Sequence, residues 1–253
     1  MLRTRVIPCL LLLRGGLYKT VKFKDPKYVG DPINAVRIFN EKEVDEILVL
    51  DIGATTEGRE PDYDLIRDIA SECFMPLAYG GGVTSLDQMR RLQRLGVEKV
   101  AINSAAFRSP ALVKAACDAL GSSSVVAAID VRKTLFGKYE VWIDGGRTNT
   151  KSDPVDYAVS LAELGVGEIL VNSIDRDGTM LGYDIVLTKK VAERVDAPVI
   201  ACGGAGSLEH VADVARNGGV GAAAAGSLFV FHGRHRAVLI NYPSQKQLET
   251  LLD

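Results

Sequence analysis

Several patterns that would narrow the function at once are missing. Cys9, Cys73, Cys117 and Cys202 are the only cysteines, they sit in apolar settings, and no two have CxxC spacing. They read as reduced core thiols of a cytoplasmic protein rather than as a disulfide framework or a metal site. Three histidines are just as uninformative: His210 stands apart, while His232 and His235 lie in a C-terminal basic stretch with Arg234 and Arg236, without metal-ligand spacing. They are expected at the surface or an interface, and neither a metal nor a cofactor is expected. Basic blocks do not exceed short pairs such as Arg90-Arg91 and Lys189-Lys190, and 30 Lys and Arg against 32 Asp and Glu leave a net charge of −2. Nothing here recommends nucleic acid as a partner. The apolar run from Val6 to Leu13 is too short to span a bilayer, contains Pro8 and is closed by Gly15-Gly16, so it reads as a buried first strand.

What is present is glycine at strand ends. Val199-Ile-Ala-Cys-Gly-Gly-Ala-Gly-Ser207 runs from an apolar strand through consecutive glycines into a helix-start signal, and Val220-Gly-Ala-Ala-Ala-Ala-Gly-Ser227 is a second strand ending in bare backbone. Leu77-Ala-Tyr-Gly-Gly-Gly-Val-Thr-Ser85 followed by Val97 to Phe107 has the same order. Glycines let main-chain N–H groups approach a ligand and a helix start adds its positive end, so such loops can cradle phosphate. Taken alone, Gly80–Gly82 and Gly203–Gly206 could also be tight turns. Gly81 and Gly203, Ala101 and Ala223, and the runs starting at Ile47 and Ile169 are each 122 positions apart, which marks an internal duplication at half-domain scale.

Eight strand-like runs recur at 5–12, 46–51, 75–79, 99–103, 125–130, 168–173, 199–202 and 221–225. Helical periodicity fills 31–42, 65–73, 86–95, 110–120, 154–164, 185–195 and 208–217, several opened by Asp, Ser or Pro. With 253 residues, 47% of them hydrophobic, this alternation predicts a single (β/α)8 TIM barrel with an internal two-fold repeat, its half-barrels at about 1–122 and 123–253. Long loops at 13–30 and 132–152, after strands 1 and 5, would lie at the C-terminal face, where such barrels keep their active sites.

The segments Arg5-Val-Ile-Pro-Cys-Leu10, Lys19, Leu50-Asp-Ile52, Gly80-Gly-Gly82, Ala101-Ile-Asn103, Ala128-Ile-Asp130, Ser173-Ile-Asp-Arg-Asp-Gly-Thr179 and Gly203-Gly-Ala-Gly206 occur in one order over most of the chain. Together they resemble the cyclase subunit of imidazole glycerol phosphate synthase, the HisF family. The resemblance implies a barrel that takes ammonia from a glutaminase subunit docked at its floor and passes it along the axis to a bis-phosphorylated substrate at the top. It implies one phosphate site at Gly82, Asn103 and Ser104 and a second at Gly178, Gly204, Ala225 and Gly226. Lys19, Asp51, Asn172, Asp177 and Cys202 join the substrate side, and Arg5, Glu46, Lys99 and Glu168 match a charged gate for ammonia, with Glu98 facing the glutaminase. Charged residues at strand starts are also ordinary sheet-end solvation.

The family's chemistry uses two carboxylates, ending strands 1 and 5, and here only Asp130 is one; Leu11 stands at the strand-1 position. A leucine neither gives nor takes a proton. Asn172 and Cys202 also stand where the family tends to have Thr and Ser. Asp130 is open to two readings: an acid–base or substrate-positioning group, or a structural carboxylate paired with Lys19 or a nearby donor. The same alternatives hold for Asp51 and Asp177. The pattern is similar to glycosyl amidation-associated members of the family, found with lipopolysaccharide O-antigen biosynthesis, which pair with a glutaminase and an N-acetyl sugar amidotransferase. The chief rival is the true lyase of histidine biosynthesis, yielding imidazole glycerol phosphate and AICAR. A phosphoribosyl isomerase and a scaffold that only activates the glutaminase are the others.

Overall fold

Eight short apolar runs form parallel strands: β1 (Arg5–Leu13), β2 (Ile47–Asp51), β3 (Leu77–Gly80), β4 (Lys99–Ile102), β5 (Val125–Lys133), β6 (Glu168–Ser173), β7 (Val199–Cys202) and β8 (Ala222–Ala225). In this computed structural model residues 3–233 and 235–252 are described, so Arg234 of the basic C-terminal stretch lies outside the described residues. Each strand pairs in parallel with the next, and β8 returns to β1 through Arg5↔Ala222 to Pro8↔Ala225, closing the barrel. Closure removes both sheet edges. Both faces of each strand are therefore buried. Val6, Leu10 and Leu12 of β1 pack outward against helices, while Ile7, Cys9 and Leu11 face the interior with Leu48, Ala78, Ala101, Val126, Leu170, Ile200 and Ala224. That two-sided burial makes the strands continuous apolar runs without polar alternation.

Between the strands lie α1 (Pro32–Glu41), α2 (Tyr63–Ser71), α3 (Leu86–Arg94), α4 (Pro110–Leu120), α5 (Pro154–Glu163), α6 (Ile185–Ala192) and α7 (Leu208–Asn217). All seven have a side-chain N-cap, from Asp31, Asp62, Ser85, Ser109, Asp153, Asp184 and Ser207. Ser85 and Gln88 complete a capping box. Proline in the first turn of α1, α4 and α5 fixes φ where no intrahelical donor is needed. The predicted spans for α4 and α7 match end for end, whereas α2 begins two residues earlier, behind its Asp62 cap, and α6 stops at Ala192 instead of continuing to Val195.

The two long loops are not irregular. β1 and β5 run past the barrel rim, and each turns back on itself: Gly16–Val21 pairs antiparallel with β1 and then with Lys24–Gly30, and Tyr139–Ile143 pairs antiparallel with β5 and then with Thr148–Asn149. Tyr139-Glu-Val-Trp-Ile143 is made largely of strand-forming residues, whereas Gly16–Val21 and Lys24–Gly30 carry the more mixed, polar sequence of a solvated arm. A C-terminal helix, α8 (Gln245–Leu252), and short helical turns at Ser104–Arg108 and Ser227–Val230 are further elements that the periodicity does not reveal. No described helix is long and apolar enough to cross a membrane.

Phe39 of α1 is fully buried in the layer between helices and barrel. Phe39→Ala should cost about 3–5 kcal/mol of unfolding free energy, measured by urea titration, since the cavity left among rigid elements cannot collapse fully.

Candidate functional site

At the C-terminal ends of the strands a cavity of about 580 Å³ opens. All fourteen top-face residues singled out from the sequence line it: Leu11, Lys19, Asp51, Gly82, Asn103, Ser104, Asp130, Asn172, Asp177, Gly178, Cys202, Gly204, Ala225 and Gly226. Strand register explains the central pair. Leu11 stands opposite Leu50 in the β1–β2 pairing and Asp130 opposite Asn172 in the β5–β6 pairing, and Leu50 and Asn172 are 122 positions apart, the spacing of the duplication. Leu11 and Asp130 thus hold equivalent places in the two halves.

Asp130 lies between two amides, its Oδ1 accepting from Asn172 Nδ2 and its Oδ2 from Asn103 Nδ2, each at 3.2 Å. It is not paired with Lys19, whose Nζ donates to the carbonyl oxygen of Cys9 at 2.6 Å. Burial pushes the Asp130 carboxyl up to about 7, the Asn172 hydrogen bond opposes the shift, and the negative charge of Asp177 adds to it. Burial likewise pulls the Lys19 ammonium below its ordinary value, against Cys9 and Asp177. Gly226 makes room for that amine: a Cβ there would lie 2.3 Å from Lys19 Nζ. Cys202 is raised first by its hydrogen bond with Cys9 and then by burial, so it stays a thiol.

The remaining acids shape the loops. Asp51 Oδ1 accepts from the N–H groups of Gly53 and Ala54 at 2.9 and 3.0 Å, and its Oδ2 lies 3.5 Å from Arg59. Asp177 pins the first hairpin, accepting from Thr20 Oγ1 at 2.8 Å and Phe23 N at 3.3 Å, while its carbonyl takes Lys22 N at 3.0 Å. Gly178 beside it has φ +66°, and a Cβ there would lie 2.0 Å from the Thr20 oxygen. The second hairpin is tied down symmetrically: Asp144 N donates to Ser104 Oγ at 2.9 Å, and the Asp144 carboxylate takes Arg108 Nη2 at 2.8 and 2.6 Å. Thr20, Phe23 and Asp144 escape a reading of the sequence because the arms that carry them have no motif.

The two short helical turns have no side-chain cap, unlike the seven connecting helices. Ser104–Arg108 follows Asn103, and Ser227–Val230 follows Gly226. At these two strand ends, one closed by Asn103 and the other by Gly226, the first N–H groups have no side-chain partner among the described residues, as an anion-binding turn requires.

At the opposite face, Arg5, Glu46, Lys99 and Glu168 close a ring. Arg5 contacts both Glu46 and Glu168, and Lys99 Nζ lies 2.8 Å from Glu46 and 2.9 Å from Glu168. Burial, foremost, raises the Glu46 carboxyl, and Lys99 and Arg5 offset it. Alternating signs let every charge meet two opposite ones, which is how buried ions offset desolvation. Glu98, next to Lys99, is exposed. Among the described residues no group of three or more His, Cys, Asp and Glu could hold a metal ion.

The Asp130 shift carries a pH signature. Its folded pKa of about 7 lies above the unfolded value of about 3.9, so the protonated carboxyl stabilises the fold fully below about pH 4, and that contribution is lost as pH rises through about 7. Asp130→Asn removes this dependence. The stability of the variant relative to the parent should rise between about pH 4 and 7 and level off above, as followed by denaturant midpoints at a series of pH values.

The profile of the family described as Histidine biosynthesis protein matches residues 5–235. A Pseudomonas aeruginosa protein provisionally named imidazole glycerol phosphate synthase subunit hisF2 is 55% identical over 249 residues, covering 98% of this chain and 99% of its own length. One from Vibrio vulnificus, provisionally named subunit hisF3, is 48% identical over 254 residues, covering 100% and 98%. The Alkaliphilus metalliredigens imidazole glycerol phosphate synthase subunit HisF is 43% identical over 232 residues, covering 92% of each. With the closed barrel, the two glycine-marked strand ends and these full-length matches together, the chain belongs to the histidine biosynthesis protein family, as a HisF-like subunit.

Proposed function

We propose that this chain receives ammonia from a glutaminase bound at the barrel floor and delivers it along the barrel axis for amidation of an acetamido sugar in surface-polysaccharide biosynthesis. The observation that carries the reading is Leu11 in the place equivalent to Asp130. Ring closure to an imidazole needs one proton taken and another given, and one carboxyl with an apolar opposite number does not easily hold both states. Delivery needs neither. It needs an entry, for which the ring of Arg5, Glu46, Lys99 and Glu168 is suited, and a passage lined by small or apolar groups such as Ala78, Ala101, Ala222 and Ala224. Ammonia is neutral and small, so such a lining neither traps it nor admits ions cheaply.

A phosphorylated ligand fits the top cavity in this reading, held by N–H groups at Gly82, Asn103 and Ser104 on one side and at Gly178, Gly204, Ala225 and Gly226 on the other. The N-acetyl sugar amidotransferase that activates the acetamido group is the further partner. The second reading is the cyclase subunit of imidazole glycerol phosphate synthase itself, and the observation in its favour is Asp130, retained at the strand end with a carboxyl suited to proton transfer near neutrality.

A histidine auxotroph lacking the cyclase subunit separates the two. The chain should fail to restore growth, and growth at the wild-type rate would establish the cyclase reading. Leu11→Asp should raise ammonia-dependent cyclase turnover by about 10²- to 10⁴-fold, the range typical of a restored acid–base group, measured with the purified variant.

A further inference from the structure

The second hairpin ends in a well-formed turn with its apolar side chains outside. Thr134 N donates to the carbonyl of Lys138 at 2.7 Å, Gly137 N to that of Thr134 at 2.9 Å, and Lys138 N to Thr134 Oγ1 at 3.1 Å. Within it Leu135 and Phe136 are 102% and 100% exposed, more than any other large apolar side chains among the described residues. They lie outside the cavity lining. Single exposed apolar residues are ordinary, but two adjacent ones held outward by a closed turn are not.

The base of the hairpin is anchored. Lys133 N donates to Asp175 at 2.7 Å and the Tyr139 hydroxyl to Asp184 at 2.9 Å, which joins the hairpin to the start of α6, where Val186 is 60% exposed. Nζ of Lys133 and of Lys190 stand over the same Tyr139 ring, at 5.2 and 5.9 Å. Among the described residues Lys133, Lys138 and Lys190 make no ion pair within 4.0 Å. The neighbouring acids Asp175, Asp184 and Glu140 are half-buried and accept from Lys133 N, Tyr139 and Asn149, whereas the three lysines are exposed. An apolar tip with a cationic collar thus rises beside the mouth of the cavity, and the return arm of the same hairpin bonds Ser104 inside it.

We propose that Leu135 and Phe136, with Lys133, Lys138 and Lys190, dock a partner protein whose surface offers an apolar pocket rimmed by carboxylates and which covers the top of the barrel. This rests on the delivery reading above, in which the partner is the sugar amidotransferase. Complementary charge supplies orientation and rate of encounter, and the buried aromatic supplies the anchor. Delivery itself dictates the location, because ammonia that leaves an open cavity is protonated and lost to water. The enzyme that consumes it therefore has to seat over the opening.

The test is reconstitution of the full chain with its glutaminase and the sugar amidotransferase. Leu135→Ser combined with Phe136→Ser should reduce glutamine-driven amidation at least tenfold and abolish co-sedimentation with the amidotransferase, while glutaminase binding and amidation driven by added ammonium chloride stay at the parent level. Lys133→Glu combined with Lys138→Glu should weaken co-sedimentation, and added salt should weaken that of the parent. Unchanged binding and glutamine-driven amidation in both variants would overturn the docking assignment and leave delivery standing. If the parent chain neither binds the amidotransferase nor supports glutamine-driven amidation, delivery fails and docking with it. Two further results overturn the assignment by naming another occupant: apolar-tip variants that lose binding only to phosphatidylglycerol-containing vesicles, or that lose only self-association in the ultracentrifuge.

Discussion

A parallel strand exposes unpaired N–H and C=O groups on both edges, and the pairing of β8 with β1 is what removes them. Once the ring is closed, every strand has helices on one side and the axis on the other, and eight strands leave an interior that side chains can fill. Which side chains fill it then decides what the axis can do. Ile7, Leu48, Val126, Leu170 and Ile200 share the middle with Ala78, Ala101, Ala222 and Ala224, so polar groups are confined to the two ends.

The ends treat their charges differently. At the floor, two cations and two anions satisfy one another in a closed ring, and no net charge is left to attract a ligand. At the top, Asp130 has two amide donors and Lys19 a carbonyl oxygen. Among the described residues neither is neutralised by a direct ion pair. Burial therefore moves both toward their neutral forms, and it brings Asp130 to about 7, where a carboxyl can exchange a proton near neutral pH. A self-satisfied floor and an uncompensated top give the axis a direction.

The barrel was legible because its periodicities and its duplication are global: eight apolar runs, caps such as Asp31 and Ser207, and repeats 122 positions apart each tested the same topology. The cavity lining was legible through the HisF resemblance, to which the glycine-marked strand ends pointed as well, and the structure gathers Gly82, Gly178, Gly204 and Gly226 around one opening. The hairpin arms were not. Gly16–Val21 gains its strand conformation from pairing with the overhanging end of β1, a tertiary cause that no local pattern encodes, whereas Tyr139-Glu-Val-Trp-Ile143 carries strand formers inside a stretch read as one long loop. The partners of Asp130 were equally hidden, because Asn103 and Asn172 come from flanking strands and converge only through register.

Symmetry makes the substitution at Leu11 informative. In a duplicated barrel two carboxylates at equivalent strand ends face a common space, and each would push the other's pKa upward. With Leu11 on one side that mutual repulsion is absent; burial is the first cause of the Asp130 shift, and the charge of Asp177 contributes last. A buried carboxyl without a use would only cost stability, since it ionises near pH 7. Both oxygens of Asp130 are held by amides from adjacent strands. Such a clamp fixes the carboxyl group's position while leaving its charge adjustable. That suits a group that orients a ligand or accepts one proton in passing, the role that the proposed delivery reading leaves to it.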